Sequence, residues 1–148
     1  MTSKAENDFR KLAVEVRVLE QSAETLAARM NMVNAVTTDL TYARIALEGL
    51  EKQPENTELL VPIGGSSYIK AKLQTPDKII VGIGAGVSTE KTLQEAKETI
   101  TKRLEELEKT RNSIQQQYTQ IVERINQDRE VLEELAAKLE KEKTPPNV

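Results

Sequence analysis

The chain of 148 residues is 30% charged but only 3% aromatic, with no Trp and a single Phe. Such a composition suits long helices that each bury one stripe of Ala, Leu, Ile and Val better than a compact core, which needs more large side chains. The net charge of −3 without a basic tract argues against nucleic-acid binding, and the absence of His and Cys excludes imidazole and thiolate chemistry.

Residues 1–53 are predicted to form an N-terminal coiled-coil helix. The stretch contains no Pro, and its one Gly, Gly49, lies near the end. Its apolar or small residues recur at alternating steps of three and four, which is the heptad pattern of a coiled coil, with Thr37 and Arg44 as polar interruptions. The predicted seam consists of Phe9, Leu12, Val16, Leu19, Ala23, Leu26, Met30, Val33, Leu40 and Leu47.

Residues 54–91 are predicted to form two β-hairpins, with strands near 59–63, 67–73, 78–83 and 87–90. Alternation along the second strand places Ile69, Ala71 and Leu73 on one face, and the turn signal Thr75-Pro76-Asp77 separates the hairpins. Two short hairpins expose strand edges and apolar faces, so this segment is the predicted oligomerisation site. Its predicted interface residues are Leu59, Val61, Ile63, Tyr68, Ile69, Ala71, Leu73, Ile79, Ile80, Val81, Ile83 and Val87.

Residues 92–143 are predicted to form a C-terminal coiled-coil helix. Thr92 and Glu95 fit a capping box at its start, and Pro145 and Pro146 in the tail 144–148 end it. Lys97, Arg111 and Asp128 interrupt the seam. The predicted seam consists of Leu93, Ile100, Leu104, Leu107, Ile114, Tyr118, Ile121, Ile125, Leu132, Leu135 and Leu139.

The two seams are predicted to pack against each other as one antiparallel coiled coil. One register pairs Phe9 with Leu135 and Leu19 with Ile125, although a shift of one heptad preserves the pattern. In this register Asp128 faces Val16, and we expect that layer to be weak because a short carboxylate side chain cannot reach water. The expected fold is one domain of class α+β, mainly α, with both chain ends at the tip of the coiled coil.

The order helix, β segment, helix resembles the prefoldin family, also called GimC. Residues 59–73, LLVPIGGSSYIKAKL, and residues 81–87, VGIGAGV, are similar to the β segment of its α-type subunits, and two hairpins are typical of that type. The resemblance implies a cytoplasmic hexamer of two α and four β subunits, whose hairpins form intersubunit β-barrels. It further implies ATP-independent chaperone activity: the coiled-coil tips hold non-native proteins and deliver them to a group II chaperonin.

The free end of the coiled coil carries more apolar residues than its seam requires. Val14 and Val18 fall at the outward-facing heptad positions f and c, and Val131 falls at a g position of the other helix. A solvated helix face usually carries charges at such positions. The alternative is that the seam residues only close the coiled coil and that a few exposed valines are tolerated. The predicted client-binding residues are Phe9, Leu12, Val14, Val16, Val18, Val131, Leu132, Leu135 and Leu139.

Two other classes of protein remain as alternatives. A structural scaffold or filament former would stack the same β segments into an open fibre. An enzyme is disfavoured: the glycines from Gly82 to Gly86 do not fit a dinucleotide-binding GxGxxG, since Val87 stands where the last Gly is needed. We expect no cofactor, no metal, no nucleic-acid partner and no membrane partner.

Overall fold

A computed structural model describes residues 3–75 and 77–144. Pro76 of the predicted turn and residues 145–148 of the predicted tail lie outside the described residues. The elements follow the order α1, Lys4–Glu51; β1, Glu58–Gly64; β2, Ser67–Lys72; β3, Lys78–Gly84; β4, Val87–Thr92; and α2, Leu93–Lys143. This order confirms the predicted fold class of two long helices joined by two hairpins.

The chain divides into two compact units. The helical unit contains the described part of residues 1–34 and 109–148, and therefore one section of each helix. The hairpin unit contains the described part of residues 35–108, with the remaining section of each helix and both hairpins.

Both helices begin with a hydroxyl cap. The amide of Glu95 donates to Thr92 Oγ1 over 3.1 Å, which confirms the Thr92 half of the capping box predicted for α2. The amide of Glu6 donates to Ser3 Oγ over 3.2 Å at the start of α1, a cap that the sequence analysis missed. Each bond satisfies an amide that has no partner within its own helix.

The core of the helical unit is the predicted heptad seam. Val16, Ala23 and Ile125 are buried, with Leu19, Tyr118, Ile121 and Leu132 packed against them. Two interhelical ion pairs border this core: Arg124 Nη2 lies 3.1 Å from Glu15 Oε1, and Arg129 pairs with Glu20. The predicted antiparallel register places Leu19 opposite Ile125. The two ion pairs lie on either side of this layer, which agrees with that register.

The charged seam residue Asp128 has a partner that the sequence analysis did not foresee. Its side chain is only 8% exposed, yet its carboxylate lies 3.2 Å from Arg124 Nε, one helical turn away. The buried carboxylate holds the pKa of Arg124 above its ordinary value, and Glu15 adds to the effect. The prediction of a weak layer considered only the residue across the seam, whereas this ion pair comes from the same helix. The weakness of the layer stays a prediction.

The two hairpins have the same pairing pattern. Val61 lies opposite Ile69 in the first, and Val81 lies opposite Thr89 in the second. The register of each hairpin shifts just before its turn, at Gly64 with φ of 103° and at Gly84 with φ of 108°. Only glycine adopts this conformation readily, so the glycines fix where the chain reverses.

The core of the hairpin unit joins the second hairpin to the helices. Leu47, Val81, Ala96 and Ile100 are buried together, with Leu40, Ala43, Ile79 and Leu104 packed against them. Polar contacts hold the same hairpin: Arg103 Nη2 donates to the carbonyl of Gly82 over 2.8 Å, and the amide of Leu93 donates to the carbonyl of Asp77 over 2.9 Å. One face of the second hairpin is therefore covered within the chain.

The seam lysine of the hairpin unit reaches an acidic partner on the other helix. Lys97 Nζ donates to Glu51 Oε2 over 2.9 Å. This hydrogen bond holds the pKa of Lys97 above 10.5. The lysine stem is half buried at the seam, while its ammonium group reaches the Glu51 carboxylate, as expected for a long amphipathic side chain.

Candidate functional site

The first hairpin presents one face made of apolar side chains alone. Leu59 pairs with Ala71 and Val61 with Ile69, and these four residues alternate with the side chains of the opposite face. Val61 is 43% exposed and Ile69 is 53% exposed, and neither belongs to a core formed by the described residues. Leu59 and Ala71 are half buried, so the uncovered part of this face is the pair Val61 and Ile69, and such an exposed apolar pair on a two-stranded ribbon is a surface that needs a partner.

The second hairpin divides its apolar residues between its two faces. Val81 is buried and Ile79 half buried against the helices, so these two predicted interface residues serve the core of their own chain. Ile80 points the other way and is 78% exposed, and Ile83 and Val87 near the turn are exposed as well. These three residues form the apolar surface of the second hairpin that remains available to a partner.

The predicted client-binding residues fall into two groups in the helical unit. Val14, Val18 and Val131 are exposed, as their heptad positions predict. The seam members are half buried or, in the case of Val16, buried, as expected for side chains that close a coiled coil. The half-buried members are Phe9, Leu12, Leu132, Leu135 and Leu139.

One exposed residue of the helical unit was missed by the sequence analysis. Met32 is 68% exposed, which makes it as open as any large apolar side chain of that unit. It occupies the same heptad position as Val18, so the outward-facing pattern that identified Val18 could have identified Met32 as well.

Neither a metal site nor a phosphate-binding loop is formed by the described residues. Among them, no group of three or more His, Cys, Asp or Glu could hold a metal ion. The glycines from Gly82 to Gly86 belong to the reversal between β3 and β4 and not to a strand-to-helix phosphate loop. No described helix is long and apolar enough to cross a membrane.

Two long heptad helices joined by hairpins with uncovered apolar faces define a class of protein, the subunit of a coiled-coil assembly. Comparison with known proteins identifies the family. The profile described as prefoldin subunit matches residues 19–138. The chain is 38% identical to the prefoldin subunit alpha of Methanococcoides burtonii over 84% of this chain and 91% of that protein. It is 34% identical to the prefoldin subunit alpha of Methanosarcina mazei over 90% and 93%.

The chain belongs to the prefoldin family, whose subunits are chaperones and not enzymes. A solved structure agrees with the fold. The chain is similar to a filamentous PFD from Methanocaldococcus jannaschii determined by cryo-electron microscopy, with a TM-score of 0.66 and 25% sequence identity. The similarity covers 76% of this chain and 93% of that one.

Proposed function

We propose that this chain is the α-type subunit of a cytoplasmic prefoldin hexamer, together with a second α and four β subunits. The complex binds non-native proteins at its coiled-coil tips without using ATP and delivers them to a group II chaperonin. The relatives named prefoldin subunit alpha support the α assignment, as do the two hairpins.

The proposed assembly rests mainly on the exposed apolar face of the first hairpin. Val61 and Ile69 lie opposite each other and remain about half exposed, although isoleucine and valine at paired strand positions are normally covered. A neighbouring subunit that adds strands would cover this face and pair the free strand edges. Hairpins from several subunits would in this way close into a barrel, which leaves no open edge.

Client binding is supported by the exposed valines of the helical unit. Val14 and Val18 on α1 and Val131 on α2 expose between 43% and 60% of their surface. Apolar side chains on a solvated helix face can cover the apolar residues of an unfolded chain without selecting a sequence. The half-buried seam residues beside them, such as Leu132, would add to this surface if the helix ends separate.

The test is suppression of aggregation by the complex of this chain with its β-type partner. Light scattering of a chemically denatured enzyme should rise more slowly with the complex present and no nucleotide added. The variant V14S/V131S should lose much of this protection. The matched control V36S/I45S changes two side chains of α1 in the hairpin unit that are comparably exposed, at 49% and 55%, and should retain it. If both variants suppress aggregation as well as the unaltered complex does, the exposed valines of the helical unit do not bind the client.

Delivery is tested with the same complex. A fluorescent client held by the complex should pass to a group II chaperonin and refold only when the chaperonin and ATP are added. Refolding at the same rate without the chaperonin would refute the delivery step and leave the holding function in place.

A second function, filament formation, is favoured by one comparison. The similar chain from Methanocaldococcus jannaschii comes from a filamentous PFD. The exposed hairpin faces could join copies of this chain head to tail into an open fibre. Electron microscopy of the purified chain with and without a β-type partner distinguishes the two, since long fibres of the chain by itself support the filament, whereas particles of hexamer size that form only with the β-type partner support the hexamer.

A further inference from the structure

The first hairpin has a second face, on the side away from Val61 and Ile69. Leu60 is 65% exposed there and lies opposite Lys70, which is exposed as well. Because successive side chains of a strand point to opposite sides, every second residue belongs to this face. We call it the Leu60 face, and its residues are Glu58, Leu60, Pro62, Tyr68, Lys70 and Lys72.

The second hairpin has an equivalent face, on the side away from its buried residue Val81. Ile80 is 78% exposed and lies opposite Glu90. The Glu90 carboxylate is 4.0 Å from Lys78 Nζ, and its side chain is 62% exposed, so it can accept a hydrogen bond from a further cation. We call this the Ile80 face, and its residues are Lys78, Ile80, Gly82, Ser88, Glu90 and Thr92.

The two faces have the same layout but opposite charges beside the central apolar residue. Leu60 and Ile80 occupy equivalent positions in the two registers, as do Lys70 and Glu90. The two faces do not cover each other within the chain, because Leu60 and Ile80 are both exposed. Surfaces that match in layout and are opposite in charge are complementary when they come from different copies of the chain.

An antiparallel arrangement of the two faces brings the matching groups together. Two sheets pack face to face with nearly aligned strands, about 10 Å apart. If the turn of the second hairpin points opposite to the turn of the first, Ile80 lies over Leu60 and Glu90 lies over Lys70. The other charged residues of the two faces then lie over uncharged ones, so that no like charges meet.

Other arrangements of these faces are disfavoured by charge. Antiparallel docking of the Leu60 face on itself places Lys70 on Lys70, and the same docking of the Ile80 face places Glu90 on Glu90. Parallel docking, of like or unlike faces, places a charged group over Leu60 or Ile80, which removes that group from water without a partner. The charge pattern therefore selects the Leu60 face of one copy and the Ile80 face of another.

We propose that copies of this chain bind each other with the Leu60 face of one copy packed antiparallel on the Ile80 face of the next. The contact goes beyond the proposed function, because it leaves Val61, Ile69 and the helical unit free for the β-type partner and the client. Two copies can make the contact twice, reciprocally, or further copies can join in a row. Since the contact is small and partly ionic, it should weaken as the ionic strength rises.

The first test measures whether positions 60 and 80 of different copies are neighbours. The chain contains no cysteine, so L60C and I80C each introduce a single thiol. A short bis-maleimide is the cross-linker, because sheets about 10 Å apart exceed the reach of a disulfide. A mixture of L60C and I80C chains, together with a cysteine-free β-type partner, should give several times more cross-linked dimer than either variant does without the other. Equal yields from the mixture and from the single variants would overturn the proposal.

The second test reverses one charge at a time in the same assay. K70E in the L60C chain places a carboxylate against Glu90 of the I80C chain and should lower the initial rate of cross-linking about tenfold. E90K in the I80C chain should then restore the rate, because the two groups are again opposite in charge. The matched control is K72E in the L60C chain. Lys72 lies on the same strand and face and is exposed, but it faces the uncharged Ser88, so the rate should stay nearly unchanged.

Two results of the second test would refute the selection by charge. An equal loss of rate with K72E and K70E would show that the net charge of the hairpin, and not contact with Glu90, governs association. Failure of E90K to restore the rate would place Lys70 against another group. Association with the β-type partner should be the same for all these chains, because the substituted residues lie away from Val61 and Ile69. Aggregation suppression tests the proposed function separately.

Discussion

Truncation of the apolar face of the first hairpin should disrupt assembly without unfolding the chain. The variant V61A/I69A removes the two side chains that lie opposite each other on this face. Both are substantially exposed in the chain by itself, and neither is part of its core. The helices should therefore form normally while association with the β-type partner weakens.

The size of the effect follows from the surface that assembly would cover. Full burial of a Val or Ile side chain contributes roughly 1.5–3 kcal/mol. Val61 has 43% and Ile69 has 53% of its surface left to bury. Each therefore contributes about 1 kcal/mol to association, and the double variant loses about 2 kcal/mol. At 1.4 kcal/mol for each factor of ten, the dissociation constant should rise about 30-fold.

The assay is titration of the chain with its β-type partner, followed by light scattering coupled to size-exclusion chromatography. The matched control is L60A, because Leu60 belongs to the same strand, is 65% exposed and lies on the opposite face beside Lys70. Circular dichroism should give the same helicity for both variants. If L60A weakens assembly as much as V61A/I69A does, or if the double variant assembles normally, this face is not the interface.

Four further predictions concern stability. D128L should raise the free energy of unfolding by about 1–2 kcal/mol in urea, because it replaces a buried carboxylate with an apolar seam residue; a decrease would show that the ion pair with Arg124 is itself stabilising. G84A should destabilise the hairpin by about 1–3 kcal/mol, since its φ of 108° strains any residue with a Cβ. A Cβ added at Gly49 would meet open space, so G49A should stabilise α1 by about 0.5–1 kcal/mol. A higher melting temperature for G84A than for G49A would contradict this reasoning. The raised pKa of Lys97 implies a stabilising contribution that is present below the unfolded value of 10.5 and is lost as pH rises through the higher folded value. K97M should remove this alkaline dependence from the urea midpoint, and an unchanged dependence would show that the Glu51 pair does not contribute.

Much of the fold could be predicted from local patterns. The three-and-four spacing identified the seam of both helices, and Val16 and Ile125 are buried as that spacing requires. The positive φ at Gly64 and Gly84 explains why glycines marked the two hairpin turns correctly. These features depend on residues close together along the chain, so the sequence carries them directly.

Two features were missed for different reasons. A rule for seam positions compares Asp128 with Val16 across the seam and overlooks Arg124, which reaches the carboxylate from one turn away. A shallow groove of the helical unit needs both helices in register, because its lining residues Gln117 and Ile121 come from α2 while Val18 and Thr25 come from α1. The spacing of four between Arg124 and Asp128 could have been found in the sequence, whereas the groove is not visible until the side chains have positions in space.

By itself, the sequence determined where the helices and hairpins lie and which residues face the seam, because heptad spacing and turn glycines act over a few residues. Only the tertiary structure decided which apolar strand residues are covered. Val61 and Val81 occupy equivalent positions in hairpins of the same pairing pattern, yet Val81 packs against Leu47 and Ile100 while Val61 is exposed. The difference arises from packing between segments distant along the chain, and it leaves the first hairpin with an uncovered face.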